Sequence, residues 1–190
     1  MAKQTTNIRF RRRREGKTNY AKRLALVKSG MYRVVVRKTN RRVIGQVIEY
    51  KPMGDRVVAS AESKELEKLG WPSRCNKPTA YLTGMLLANK FAGVGKECIL
   101  DIGLSASGKN SVPFAFAKGC LDNGMKLRGT FEIKEDAYDG SEIAKYAALL
   151  AEDKETLNKQ FGAYLKQGTK PEELQKLFKA VAEKIKSMRK

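Results

Sequence analysis

The sequence predicts an α/β protein: a mixed β-sheet with an antiparallel three-stranded meander, packed by helices, with a basic N-terminal arm before it and a C-terminal helical annex after it. Three observations lead there. Three β-rich runs follow one another between residues 32 and 61, joined by turns too short for a crossover, so they are antiparallel neighbours. Helix and strand patterns then alternate up to residue 122. The charge is lopsided: residues 1–42 hold fifteen Lys or Arg against one acid, Glu15, which is +14 of the chain's +19. The organisation expected is an arm over 1–16, an α/β core over 17–130 and a helical extension over 131–190.

Each element has its own signal. Residues 1–16 are poor in apolar groups, and the four adjacent cations Arg11–Arg14 repel one another, which predicts an extended arm in the unbound protein. Thr18 is a good N-cap for a helix whose apolar side is Leu24, Leu26 and Val27, and Gly30 suits its end. Tyr32–Lys38 alternates, with Tyr32, Val34 and Val36 on one face and Arg33, Val35 and Arg37 on the other. Thr39–Arg42 reads as a turn, Val43–Tyr50 as the second strand, Lys51–Gly54 as a turn and Arg56–Ala61 as the third strand.

Glu62–Leu69 reads as a short helix. Pro78–Phe91 reads as a helix apolar nearly all round, hence buried, with Gly84 permitting close approach to another backbone. Cys98–Ile102 is a buried strand and Val112–Asp122 a helix. In the annex, Asp139 with Glu142 and Thr169 with Glu172 match capping boxes. Leu157, Phe161, Tyr164 and Leu165 mark one amphipathic helix. Leu174, Leu177, Phe178, Val181, Ile185 and Met188 mark the last. Helices this short are marginal alone and must pack on something.

A pI near 10.0 points to a polyanionic partner, nucleic acid before an anionic membrane. No apolar run approaches the ~20 residues of a membrane span. No apolar stretch follows the N-terminal charges, so no secretory signal is expected and the protein reads as cytosolic. The three cysteines are odd in number and far apart, without CxxC and without any His, which predicts buried reduced thiols and no metal site.

Arg9 and Arg11–Arg14 cannot all fold onto a protein surface, but their planar forks can line a run of phosphates; a solvated tail or an import signal is the alternative. Phe10, Tyr20 and Tyr32 are placed to stack on unpaired bases or to pack internally. Arg33 and Arg37 share a strand face beside the basic turn Thr39–Arg42, which would make a rigid platform; a solvated sheet face is the alternative. Gly103–Lys109 has P-loop spacing, yet Asn110 stands where a magnesium-binding hydroxyl is required, so a surface loop is predicted. A metal-dependent nuclease could draw on Glu49, Asp55 and Asp101, which otherwise read as isolated acids at strand ends and turns. A DNA-compacting or general RNA-binding protein is the other open alternative.

Four segments carry a resemblance. FRRRREGKTNYAKRL at 10–24, YRVVVRKTNRRVIGQVIEY at 32–50, CNKPTAYLTGMLLANKF at 75–91 and FAFAKGCLDNGMKL at 114–127 resemble the 5S-rRNA-binding ribosomal proteins counted eighteenth in the bacterial large subunit and fifth in the eukaryotic one. Tyr138 through Ile185 is similar to the C-terminal part of the archaeal and eukaryotic branch. The bacterial form lacks most of 139–190, and the eukaryotic insertion near 103–112 and long basic tail are missing here, so the archaeal branch is implied. The resemblance implies a structural protein of the cytoplasmic ribosome, not an enzyme, with no cofactor. Its partners would be 5S rRNA, the 23S-type rRNA and neighbouring proteins of the central protuberance, with no membrane and no DNA. It implies RNA contacts at Arg11–Arg14, Lys17, Tyr20, Lys22, Arg23, Arg33, Arg37, Asn40 and Arg41; charge alone adds Arg9.

Overall fold

A computed structural model describes residues 8–91, 95–106 and 108–188. The strands are β1 (Tyr32–Lys38), β2 (Val43–Glu49), β3 (Arg56–Glu62), β4 (Glu97–Asp101) and β5 (Lys126–Arg128), joined in one sheet of order β3-β2-β1-β4-β5. The first three form the expected antiparallel meander, while β4 runs parallel to both β1 and β5, so the sheet is mixed. The sequence reading missed β5, whose three residues are too few for any period to show.

The described helices are α1 (Arg11–Arg14), α2 (Tyr20–Lys28), α3 (Lys77–Lys90), α4 (Val112–Asp122), α5 (Glu135–Tyr138), α6 (Ser141–Leu149), α7 (Lys154–Leu165) and α8 (Leu174–Ser187). Two 3₁₀ helices, Ser63–Leu69 and Pro171–Glu173, join them. Among the described residues no helix is long and apolar enough to cross a membrane.

Alternation decides what each sheet face meets. Val34, Val36, Val43, Val47, Ala59 and Ala61 are buried in the core cluster with α3 and α4. Those two helices touch through reciprocal glycines. A Cβ on Gly84 of α3 would lie 2.2 Å from the carbonyl oxygen of Phe116, and one on Gly119 of α4 would lie 2.1 Å from that of Tyr81. The close approach expected at Gly84 is therefore real, and its partner is α4. Cys120 donates its thiol to the Gly84 carbonyl at 3.3 Å. Cys98 and Cys120 are buried and Cys75 is half-buried; all are free.

Several boundaries differ from the sequence reading, each for a local reason. Arg11–Arg14 is one helical turn and not extended, because all four side chains reach water and Glu15 sits between Arg11 at 3.6 Å and Lys17 at 2.9 Å. Residues 1–7 of the arm lie outside the described residues. Asn19, not Thr18, caps α2, accepting from the Lys22 amide at 3.1 Å; the Thr18 hydroxyl instead accepts from Arg12 Nε at 2.9 Å. Neither annex capping box forms. Gly140, at φ 91°, is the N-cap of α6, outside the extended backbone a capping box requires, and Asp139 accepts from the Ser141 amide. Near Thr169 the chain enters the 3₁₀ turn at Pro171 without a side-chain cap. The box that does form uses Glu62 and Glu65, and Asp153 caps α7.

The annex shares the core's hydrophobic cluster. Leu174, Phe178, Val181 and Ile185 of α8 are buried, Leu177 is partly buried, and Met188 is exposed, so the apolar stripe ends one turn early. Phe178 meets Trp71 edge-on at 6.1 Å between centroids and Tyr81 at 5.5 Å, while Tyr81 stacks on Tyr138 at 4.4 Å. Asn89 of α3 donates to the Ile185 carbonyl at 2.6 Å, tying the two helices by backbone as well.

Gly84→Ala should destabilise the protein by about 1–3 kcal/mol or more in denaturant unfolding, since the added methyl meets backbone and no flexible side chain. Gly162→Ala on α7, where the new methyl meets nothing, should stabilise by about 0.5–1 kcal/mol. Equal effects of the two would show that α3 and α4 are not in backbone contact.

Candidate nucleic-acid interface

Arg33 follows the same alternation in the opposite sense. Its neighbours Val34 and Tyr32 lean on the helix side, so its side chain leaves from the other face of β1. There it is 2% exposed. Nη2 donates to Asp55 Oδ2 at 2.6 Å and Nη1 to Asp101 Oδ2 at 3.4 Å. Asp55 comes from the turn before β3 and Asp101 from the end of β4. Each carboxylate also holds a second arginine nearer the surface. Asp55 Oδ2 accepts from Arg23 Nη2 of α2 at 2.7 Å. Asp101 accepts from Arg37 twice, at its carbonyl from Nη1 (2.9 Å) and at Oδ1 from Nη2 (3.3 Å). Arg37 Nη1 also donates to the Val36 carbonyl at 2.8 Å.

The result is a chain of five charges, Arg23–Asp55–Arg33–Asp101–Arg37, with three guanidinium groups against two carboxylates. Its middle is inside the protein and its ends are at the surface. Arg33, predicted as an RNA contact on a platform face, is thus corrected to a buried ion-paired residue: alternation gave its face correctly, but that face is covered here. Burial pushes the Asp55 carboxyl up, but the hydrogen bonds and charges of Arg23 and Arg33 outweigh it and hold Asp55 below the usual carboxylate range.

A cleft of about 620 Å³ opens beside this chain, between the α1–α2 segment and the ends of β1 and β4. Arg12, Lys17, Lys22, Arg23 and Arg37 line it, and Asp101 is the one acid among its lining residues. The amide of Gly103 donates to Asp101 Oδ1 at 2.9 Å, and a Cβ on Gly103 would lie 2.9 Å from Arg37 Cζ, so the loop after β4 is laid directly against the Arg37 guanidinium. The fork is held from three sides before any ligand arrives.

The other predicted residues divide between exposed cations and internal braces. Arg9, Arg13, Arg14 and Arg41 are exposed and, among the described residues, have no acidic partner within ion-pair distance; the same holds for Lys22. Asn40 and Arg41 sit on a turn shaped before binding: Thr39 Oγ1 accepts the amides of Arg41 at 3.4 Å and Arg42 at 3.0 Å. Tyr20 is half-buried with Phe10 at 5.2 Å, a pair that braces the arm on α2. Tyr32 packs on Phe91 at 5.7 Å and accepts from Lys96 at 3.0 Å, which occupies it internally.

Sequence reasoning missed Thr18, Asp55 and Asp101 as parts of this interface. From sequence the two acids read as possible metal ligands. They do converge, but on the Arg33 guanidinium that lies between them, while Glu49 pairs with Lys51 at 3.8 Å. In the loop with P-loop spacing, Lys109 is taken by Glu132 at 2.8 Å, and Asn110, at φ 58°, accepts from the Lys134 amide. Burial pushes the Cys98 thiol up to about 11 and the Cys120 thiol well above its ordinary value, so neither is a nucleophile near neutrality.

With this geometry in view, comparison with known proteins places the chain beside ribosomal proteins. The sequence pattern of the family described as ribosomal large subunit proteins 60S L5 and 50S L18 matches residues 4–96, the stretch that carries the arm, α2, the meander and α3. The large ribosomal subunit protein uL18 of Korarchaeum cryptofilum (strain OPF8), an archaeon, is 50% identical over 186 residues, covering 95% of this chain and 94% of its own length.

The depressed Asp55 gives a sign to the pH dependence. Its contribution to stability is present above the unfolded-state carboxylate value, about 4, and is lost as pH falls through the lower folded value. Native-state hydrogen exchange on acidification should therefore show α2 loosening before α3 and α4. Asp55→Asn should reproduce that order at neutral pH, costing about 1–3 kcal/mol. Simultaneous loss of α2 and the α3–α4 pair would show that Asp55 does not secure α2.

Proposed function

We propose that this chain, which belongs to the family of ribosomal large-subunit proteins 60S L5 and 50S L18, binds 5S rRNA and helps attach it to the large-subunit rRNA in the central protuberance, by structure and not by catalysis. The observation that carries the reading is the gathering of five cations from the arm, α2 and β1 around one cleft, beside an arm turn of four exposed arginines.

The two kinds of cation have different work. Arg11–Arg14 stand on a single helical turn, with Arg9 just before it. They neutralise phosphates and release counterions, which gives affinity with little regard to sequence. Lys17, Tyr20, Lys22, Arg23, Arg37, Asn40 and Arg41 are set by α2, β1 and a closed turn. Side chains held in place lose less entropy on binding and can select a backbone shape. Arg33 works one step behind them, as the positioning residue that keeps Asp55 and Asp101 where they hold Arg23 and Arg37. An A-form RNA is read through its shape, its 2′-hydroxyls and its phosphates, and pre-set arginine forks suit that readout. A general nucleic-acid binder would rest on the arm alone.

Crosslinking the protein to total cellular RNA and sequencing the bound RNA tests the reading directly: 5S rRNA should dominate. Deleting residues 1–14 should weaken binding and flatten its salt dependence by up to about 0.9 in log–log slope per lost contact. An unchanged slope would remove the arm from the interface.

Arg37→Lys keeps the charge but cannot reproduce the contacts to the Val36 and Asp101 carbonyls and the Asp101 carboxylate together. It should weaken 5S rRNA binding more than Arg12→Lys does, with circular dichroism unchanged. Equal and negligible losses would reduce this surface to a solvated sheet face, and duplex DNA bound as tightly as 5S rRNA would favour the general binder.

A further inference from the structure

The charge outside the arm is not spread over the rest of the chain. Residues 43–173 hold eighteen Lys or Arg and eighteen Asp or Glu and are neutral. Residues 174–190 hold six Lys or Arg against Glu183, a net +5. The charge thus gathers in two regions beside a neutral body, and in the second α8 supplies Lys176, Lys179, Lys184 and Lys186.

The face on which α8 carries that charge follows from its packing. Leu174, Phe178, Val181 and Ile185 face inward. At 3.6 residues per turn, Lys176, Lys179 and Lys186 fall on the opposite side, all exposed, and none has an acidic partner within ion-pair distance among the described residues. Lys179 and Lys186 are two turns apart, about 10.5 Å along the axis. Glu183 is the one acid within the stripe. Lys184 lies off it and donates to the Leu69 carbonyl at 3.4 Å. Attraction to the helix C-terminus accounts for Lys184 and Lys186, but not for Lys176, in the first turn where the dipole disfavours a cation, nor for Lys179, which is beyond the reach of either end.

Position in the fold adds the second observation. The cleft and the Arg33 chain occupy the sheet face turned away from α3. Helix α8 packs on the other side, against α3 through the Asn89–Ile185 hydrogen bond and Phe178 on Trp71 and Tyr81. The sheet and α3 therefore stand between the two cationic surfaces, and one RNA helix lying in the cleft does not reach the α8 stripe through the protein.

We infer that the outer face of α8, with Lys176, Lys179 and Lys186, is a second RNA-backbone surface, independent of the arm and cleft, so that the protein holds two RNA segments at once. This rests on the proposed binding of 5S rRNA and assigns the attachment to a surface. The contacts are phosphate contacts without base reading, as three point charges on a helix require.

The test uses the full-length protein bound to immobilised 5S rRNA and a short labelled RNA duplex of unrelated sequence as the second probe. The wild-type complex should capture the duplex in a salt-dependent way. The triple variant Lys176→Gln, Lys179→Gln, Lys186→Gln should keep its 5S rRNA affinity but lose capture at least about tenfold, with the salt slope of capture reduced by up to about 2.7. The matching triple Lys→Arg variant should capture normally. Capture unchanged by the Gln triple, or no capture by the wild type, overturns the proposal. So does a loss of 5S rRNA affinity as large as the loss of capture, which would place α8 in the first site. Equal wild-type affinity for 5S rRNA and the unrelated duplex would instead sink the 5S reading, while the difference between wild type and Gln triple with the duplex alone would still report on α8.

Discussion

A guanidinium with 2% of its surface exposed cannot be left unpaired, so the chain around Arg33 must bring carboxylates to it. It brings two, Asp55 from the β2–β3 turn and Asp101 from the end of β4. Those acids are far apart in sequence and meet only because β4 pairs parallel to β1 and β3 folds back along β2. One buried charge thereby constrains the pairing of the sheet, the path of a turn and the seat of α2. Buried ion pairs add little net stability once desolvation is counted, while removing one partner is costly. The arrangement is therefore better understood as fixing geometry than as strengthening the fold.

That geometry matters because of what lies at the ends of the chain. Arg23 and Arg37 each spend part of their hydrogen-bonding capacity on an internal carboxylate, and both line the cleft. An arginine held this way is oriented before a ligand comes. The arm arginines are the opposite case: exposed, braced only by Glu15, the Arg12–Thr18 hydrogen bond and the Phe10–Tyr20 pair, and suited to long-range attraction. A large-subunit ribosomal protein of this family has use for both, since rRNA must first be attracted and then held in one orientation.

The other half of the fold is governed by a different constraint, the backbone contact of α3 and α4 at Gly84 and Gly119. Also from α3, Tyr81 stacks on Tyr138 and meets Phe178. The annex is therefore part of the core and not an appendage hanging from it. Its last helix is locked against α3, and its cationic side faces away from the arm.

The strands of the meander, the buried α3, the boundaries of α4 and the apolar stripe of α8 were legible because each is a local period of apolar residues, and burying that period dominates the local free energy. The charge of the arm was legible because it needs only counting, and the family because long runs of residues match. What the sequence could not give is what covers a face once alternation has named it. Arg33 and Arg37 share a strand face, yet one is buried between two acids and the other lines a cleft, a difference set by α2 and by residues 22 and 68 positions away from Arg33. The caps failed for the same reason on a smaller scale: Asp139 and Thr169 have the right side chains, but the backbone turns left-handed at Gly140, beside Leu174 of α8, and enters a 3₁₀ turn at Pro171. Sequence alone determined which apolar runs must be buried and how much net charge the chain carries. Tertiary structure decided which charges neutralise each other inside the protein and which remain for RNA, because ion pairing depends on distance in space, and that distance exists only once β4 lies beside β1.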